Sequence, residues 1–240
     1  MTDSMFDSMP ADIRTILFDF DGVLVNSEGL HFRAFERSAR EAGIELTEEE
    51  YFKDLIGYDD RGVWRQIAKT RGLKLDPPTL LGLQTYKAQV MQGLIHEKKY
   101  AGLPGVEGLI RGLWRNYPLA IVTGALREEV ELMLEGIGLR DCFRTIVAAE
   151  DVTNGKPDPE GYLKATDEIA RLTNQNIKPA NALIFEDAPR VIERARAAGF
   201  QTVGVPTHYG HDDLKGDYTP KSLQAAEVAR AVPGLRVFAE

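Results

Sequence analysis

The chain has 240 residues, 43% of them hydrophobic, with 37 acidic against 29 basic side chains for a net formal charge of −8. That suits one large domain or two small ones with a core of ordinary density. The acidity argues against nucleic acid as a partner, but a site made locally positive by metal and lysine can still take an anionic substrate. Cys142 is the only cysteine, so no internal disulfide can form, and a reducing cytoplasm fits. The first fourteen residues lack the basic start and apolar stretch of a signal peptide. No apolar run approaches the roughly 20 residues needed to span a bilayer, so a cytoplasmic protein without membrane contact is expected.

The run Thr15-Ile16-Leu17-Phe18 predicts a buried strand over 14–19. Helical spacing then puts Leu30, Ala34, Phe35, Ser38 and Ala42 on one face, with Gly43 as a C-terminal stop. Further helices are expected near 47–54, 59–71 and 78–95, the last set off by Asp76-Pro77-Pro78. The block from 29 to 97 carries no strand pattern and reads as a separate helical bundle.

Beyond it the pattern alternates. A helix near 105–115 precedes a strand at 119–123, and Leu126, Val130, Met133, Leu134 and Ile137 mark the next helix. A short strand at 144–148, a helix at 159–172 and a strand at 182–186 follow. Pro189 suits the first turn of a helix capped by Asp187 or Ala188 and ended by Gly199. A strand at 201–205 and a terminal helix at 221–231 complete the chain. Strands alternating with helices indicate a parallel doubly wound sheet. Cys142, Trp64 and Trp114 are expected in the core, and His96, His208 and His211 show no ligand spacing.

The segment Asp19-Phe20-Asp21-Gly22 places two carboxylates where the first strand ends. They share a face if the strand conformation continues, and Gly22 lets the backbone turn and approach a ligand. Two like charges this close repel unless a cation or a proton intervenes. A buried pair therefore predicts a metal, a shared proton, or a nucleophile beside a general acid. An EF-hand loop does not fit, because Val23, Leu24 and Val25 stand where ligands would be.

Three further polar clusters close strand-like runs: Thr123-Gly124 after Leu119–Val122, Lys156-Pro157-Asp158-Pro159 after Asn154-Gly155, and Glu186-Asp187 after Ala182–Phe185. Together, in this order, the four clusters resemble the signatures of the haloacid dehalogenase-like superfamily, subfamily I, in its phosphatase and β-phosphoglucomutase-like branch. In an open parallel sheet ligands bind outside the carboxyl ends of strands, so the four would converge on one crevice. The resemblance implies an α/β fold: a doubly wound, Rossmann-like parallel core over residues 1–28 and 98–240, with an inserted four-helix cap over 29–97. Gly155-Lys156 is no Walker A lysine, since Pro157 stands where Ser or Thr is required, and no G-x-G-x-x-G opens a helix.

The resemblance also implies roles. Asp19 is the nucleophile that forms an aspartyl-phosphate, and Asp21 the general acid and then base, with its backbone carbonyl on the metal. Asp19, Asp21 and Asp187 are the expected metal residues; Glu186 binds through water or is structural. Oxygen ligands beside a phosphate point to Mg2+. Thr123, Gly124 and Ala125 offer a hydroxyl and N–H groups as a phosphate cradle, and Lys156 neutralises the nucleophile and a phosphate oxygen. In the cap, His31, Arg61 and Lys87 match positions that the branch uses for substrate.

The expected function is a magnesium-dependent phosphohydrolase of small phosphorylated metabolites, acting alone or as a weak homo-oligomer. The alternative is a sugar-phosphate mutase of the β-phosphoglucomutase type, favoured by His31, Arg61 and Lys87. Gly124-Ala125 speaks against it, because the resembling mutases carry hydroxyl side chains there. A haloacid dehalogenase would lack the second acid at Asp21, and a non-catalytic regulator would have lost at least one of Asp19, Asp21, Lys156 and Asp187. Ala188 and Val191 depart from the usual Ser and Gly of the last signature, and Asn26 replaces a common Asp.

Overall fold

The computed structural model describes residues 12–237 except 57, 98 and 99. Gly57, the expected return of the chain at 98 and most of the polar start therefore lie outside the described residues.

Five short strands build one parallel sheet: β1 (Thr15–Phe18), β2 (Leu119–Val122), β3 (Phe143–Val147), β4 (Ala182–Glu186) and β5 (Gln201–Gly204). Their order is β3-β2-β1-β4-β5, which puts β1 at the centre. Phe18 is in register with Ile121 on one side and Phe185 on the other, so the carboxyl ends of β1, β2 and β4 lie side by side. Helices cover both faces, as a parallel sheet requires. Ile16 and Phe18 join Leu119, Ile121, Leu183 and Phe185 under α5 (Val106–Trp114), α6 (Arg127–Gly136) and α10 (Ala225–Ala231). Leu17 points the other way and joins Ala120, Val122 and Ile184 under α7 (Glu160–Thr173) and α8 (Pro189–Ala197). Each such buried side chain contributes about 1.5–3 kcal/mol, and the Phe18 and Phe185 rings stack at 4.7 Å. A short helix, α9 (His211–Leu214), follows β5.

Between β1 and α5 the chain forms α1 (Glu28–Glu41), α2 (Glu48–Glu50) running into a π-type turn at Tyr51–Leu55, α3 (Asp60–Thr70) and α4 (Pro77–His96). Side-chain caps start α3 and α4: Asp59 accepts from the Gly62 N–H at 2.6 Å and Asp76 from the Thr79 N–H at 2.8 Å. This insert has its own core of Phe35, Tyr51, Leu55, Trp64, Ile67 and Leu83. Helices α1 and α4 belong to both cores: Leu30, Ala34, Met91, Leu94 and Ile95 pack with the sheet, Phe35, Ala39 and Leu83 with the insert. The chains entering and leaving the insert pair as a ribbon, with Asn26 N–H on Ala101 O and Leu103 N–H on Leu24 O, each at 3.0 Å.

Several expectations are corrected. Trp114 is 45% exposed. It follows Leu113 at the end of α5, one residue round from the buried stripe, and so faces outward. Ala42 is exposed because α1 ends at Glu41 and the chain turns through Gly43 at φ +69°. The helix expected over 47–54 is one α turn followed by the wider π turn. The last helix starts at Ala225 rather than 221, since the Ser222 hydroxyl takes the Gln224 N–H in a local turn. Cys142 and Trp64 are buried as expected.

Candidate active site

Asp19 follows β1 directly and keeps the ladder, its N–H donating to Phe185 O at 2.9 Å. The chain then folds back on itself: the Leu24 and Val25 N–H groups donate to Phe20 O, and the Gly22 N–H donates to Val25 O. Gly22 sits at φ +75°, and a Cβ there would stand 2.3 Å from Asp187 Oδ2. Only glycine satisfies both the left-handed turn and the close approach of that carboxylate.

Lys156 reaches in from the loop before α7. Its ammonium lies 2.5 Å from Asp19 Oδ1 and 2.9 Å from Glu186 Oε2, above the Tyr162 ring. Burial opposes that charge, but Asp19 and Glu186 outweigh it and hold the lysine above its ordinary value. Asp19, Glu186 and Asp187 are all buried, with one oxygen of each within 4.8 Å of the others. Burial first, then the Glu186 charge, push Asp19 and Asp187 well above the usual carboxylate range. One lysine cannot neutralise three carboxylates, so the cluster takes up a proton or a cation.

The donors decide which carboxylate is available. Glu186 Oε2 accepts from Lys156 and, at 2.5 Å, from the Tyr162 hydroxyl, while Oε1 accepts from the Ala188 N–H at 3.1 Å. Glu186 is thus committed to protein donors. Among the described residues no donor reaches the Asp187 carboxylate. An undonated buried carboxylate beside Asp19, in an all-oxygen set, fits a hard divalent cation. Asp19, Asp187 and the Asp21 backbone carbonyl would hold it, with Glu186 fixing Lys156 from behind.

Asp21 Oδ1 accepts from the Ser27 hydroxyl and from His31 Nε2 at 3.2 Å. Burial pushes this carboxyl up, but His31 and Ser27 more than offset it and hold it below its ordinary value. His31 Nδ1 lies 3.2 Å from the Lys87 ammonium. Burial and the Lys87 ammonium oppose charge on His31, but Asp21 outweighs them and raises its pKa to about 9; in either state Nε2 carries the proton offered to Asp21. Lys87 is fully buried and lies 2.9 Å from Asp60 Oδ2 and 3.6 Å from Glu129 Oε1. A chain of contacts thus runs from the sheet edge at Asp21 through α1 to α4 and α3.

Thr123 ends β2, its N–H on Val147 O at 3.0 Å. It does not cap α6, whose N-cap is Leu126; its hydroxyl accepts from the Ala125 N–H at 3.0 Å. Gly124 and Ala125 line the cavity, two residues ahead of the helix start where they were expected. The cavity itself has a free volume of about 60 Å³. The insert is seated over it. Arg190 Nη1 donates to the Tyr58 hydroxyl at 2.8 Å, and Phe52 packs on His208.

Of the expected insert residues, His31 lines the cavity and Lys87 stands behind it, while Arg61 is exposed in a separate groove with Arg65 and Arg194. The residue before it, Asp60, faces the cavity. The sequence reading did not single out Ser27, Glu28, Asp59, Asp60, Glu129 or Tyr162. Asp59 had one signal, a capping side chain three residues before Gly62.

Comparison with known proteins shows the family. The sequence profile of the haloacid dehalogenase-like hydrolase family matches residues 16–205. A validoxylamine A 7'-phosphate phosphatase from Streptomyces hygroscopicus subsp. limoneus is 30% identical over 84% of this chain and 89% of its own. Protein CbbY from Rhodobacter capsulatus is 30% identical over 93% and 99%. A β-phosphoglucomutase from Clostridium difficile superposes with a TM-score of 0.75 at 24% identity, over 88% and 92%.

Proposed function

The chain belongs to the haloacid dehalogenase-like hydrolases, in the phosphatase branch of subfamily I, and from that premise we propose that it hydrolyses small phosphorylated metabolites through an aspartyl-phosphate on Asp19, with Mg2+ as cofactor. The observation that carries the reading is the pairing at Asp19. Lys156 grips Oδ1 at 2.5 Å, which leaves Oδ2 to attack. In the first half-reaction Oδ2 bonds to phosphorus, the ester P–O bond breaks, and Asp21 gives its proton to the leaving oxygen. In the second, Asp21 takes a proton from water, the water oxygen bonds to phosphorus, and the acyl-phosphate P–O bond breaks to release phosphate and restore Asp19.

Asp21 lies below its ordinary value in the free protein. The arriving phosphate dianion raises its proton affinity by like-charge repulsion, which suits an acid that works only with substrate present. The cation, when bound, offsets charge on the phosphoryl oxygens. Lys156 supplies the second positive charge, Gly124 presents its N–H to the phosphate, and Thr123, whose hydroxyl holds the Ala125 N–H, orients that loop. The helices at 29–97 act as a cap over the core of 1–28 and 98–240, seated on it through Tyr58 and Phe52. In this reading the protein is cytoplasmic and works as a monomer or weak homo-oligomer. No helix among the described residues is long and apolar enough to cross a membrane.

A mutase of the β-phosphoglucomutase type is the second reading, favoured by the cap seated over the site and the His31–Lys87 contact to Asp21. One experiment separates the two: phosphate release with Mg2+ across a panel of phosphate esters, with conversion of β-glucose 1-phosphate to glucose 6-phosphate followed in parallel. Release from one ester well above the rest supports hydrolysis; isomerisation without release replaces it with the mutase.

A further inference from the structure

We propose that the insert side of this cavity selects a phosphomonoester whose organic part carries an amine and no second anionic group. The proposal rests on the phosphate-ester reading above and adds the substrate class.

Three carboxylate residues, Glu28, Asp59 and Asp60, line the insert side of the cavity; the basic side chain lining it there, His31, is held on Asp21 at the reacting end, and no arginine or available lysine of the insert lines it. Lys87 is fully buried and shared between Asp60 and Glu129. Both Glu129 oxygens are buried without a hydrogen-bond partner, so this lysine already has more negative charge around it than it can balance. Arg61 lines the neighbouring grooves rather than this cavity. On the opposite wall Lys156 is committed to Asp19 and Glu186, and a divalent cation there serves the phosphate itself. Positive charge is thus concentrated at the phosphate end and negative charge at the organic end.

Glu28 is an independent pointer to a ligand. It is 9% exposed and lines the cavity. Its one hydrogen bond is a long one, 3.5 Å from the Tyr51 hydroxyl to Oε1, and among the described residues Oε2 accepts none. Oε2 is thus open to the cavity without a protein donor, and a ligand that fills the space must supply one or leave the oxygen unpaired. An ammonium brings both the donor and the opposite charge. Tyr51, Tyr58 and Tyr209 line the same space, and aromatic rings beside carboxylates are a setting that favours ammonium groups. A second phosphate or a carboxylate would instead lie among Glu28, Asp59 and Asp60, where like charges repel. The same argument disfavours the doubly phosphorylated sugar that mutase chemistry passes through.

The test is a charge series of six-carbon 6-phosphates: glucosamine 6-phosphate, glucose 6-phosphate and the open-chain 6-phosphogluconate, which bear an amine, no further charge and a carboxylate. Binding to the Asp19→Asn protein with Mg2+ is measured by calorimetry, so the ranking does not depend on turnover. The expected order is amine, neutral, carboxylate, with roughly a tenfold step from neutral to amine. Glu28→Gln in the same background is expected to shrink that step to about threefold or less. Asp59→Asn, which keeps the helix cap, gives a second reading of the same step. Equal or reversed affinities, no binding of the amine ester, or a step unchanged in both variants would overturn the proposal. Phosphate release by the wild-type protein on the same three esters tests hydrolysis separately: release without the ranking overturns only the selectivity, and the ranking without release overturns only the hydrolysis.

Discussion

Asp59 of the insert occupies the space that a side chain on Gly155 would need. A Cβ built on Gly155 would stand 1.9 Å from Asp59 Oδ2, and one on Gly124 would stand 3.3 Å from Asp59 Cα. Two loops of the sheet edge thus carry glycine where the insert is seated, which gives Gly124, the departure from the mutase-like pattern, a steric reason. Gly155→Ala should hold the insert off the core. We expect kcat/KM to fall by roughly 10–100-fold, on the scale of misplacing a catalytic group by about 1 Å, with little change in Tm. An unchanged kcat/KM would mean that seating of Asp59 is not part of turnover.

Asp19→Asn should abolish phosphate release without loss of the fold. Asp19 is one of three mutually repelling buried acids, so removing its charge relieves repulsion even as the Lys156 contact weakens. The variant's Tm in chelator should match or exceed that of the wild type; measurable turnover would remove Asp19 as nucleophile.

Magnesium should stabilise the folded protein through Asp187. At a hundredfold excess over Kd a ligand adds about 2.7 kcal/mol, several degrees in Tm for a chain of this size. Asp187→Asn should lose most of that shift in a thermal melt with and without Mg2+, since Glu186 already has three protein donors. A full shift in the variant would transfer the cation to another set of ligands.

Lys87 is placed to fail badly when removed. Lys87→Met leaves Asp60 and Glu129 without their cation and should cost about 3–5 kcal/mol in denaturant unfolding. Glu129→Gln removes the carboxylate that has no hydrogen-bond donor and should be neutral or stabilising. The double variant should then lose less than Lys87→Met alone; simple additivity would show that the two residues do not interact.

Glu28 gives a pH signature. Burial pushes its carboxyl from 4.5 up to about 7. The folded state therefore holds this proton where the unfolded chain has lost it. The resulting stability is complete below about pH 4.5 and is lost as pH rises through 7, a difference of about 3 kcal/mol. Relative to Glu28→Gln, the wild type should be the weaker protein at pH 8 by that amount more than at pH 4.5, by urea unfolding at both pH values. Parallel pH profiles would show that Glu28 ionises normally.

Much of this molecule was legible in its sequence, for one physical reason. A parallel strand buried on both faces is an apolar run, and the residue that ends the run stands at the sheet edge where ligands bind. Asp19, Thr123 and Asp187 were found that way, and the structure brings Asp19 and Asp187 together with Lys156. What failed was angular. Adjacent helical residues differ by about 100° in direction, so spacing could not tell Asp60, which faces the cavity, from Arg61, which faces solvent, nor Leu113 from Trp114. Pairs distant in sequence, such as Tyr162 with Glu186 and Lys87 with Glu129, left no local signal at all.

The shared helices of the two cores have a mechanical consequence. Helices α1 and α4 are rooted beside the sheet at one end and carry the insert's aromatic core at the other. The two chains at their root are tied to each other as a ribbon. They form a lever, not a flap on a loose tether. Twenty helical residues in α4 at 1.5 Å each make an arm of about 30 Å, so a bend of roughly 10° at the root moves the tip by about 5 Å. Gearing of this kind lets an adjustment of a few backbone torsions beside Asn26 and Ala101 open the whole crevice as Leu30, Ala34, Met91, Leu94 and Ile95 slide against the sheet core.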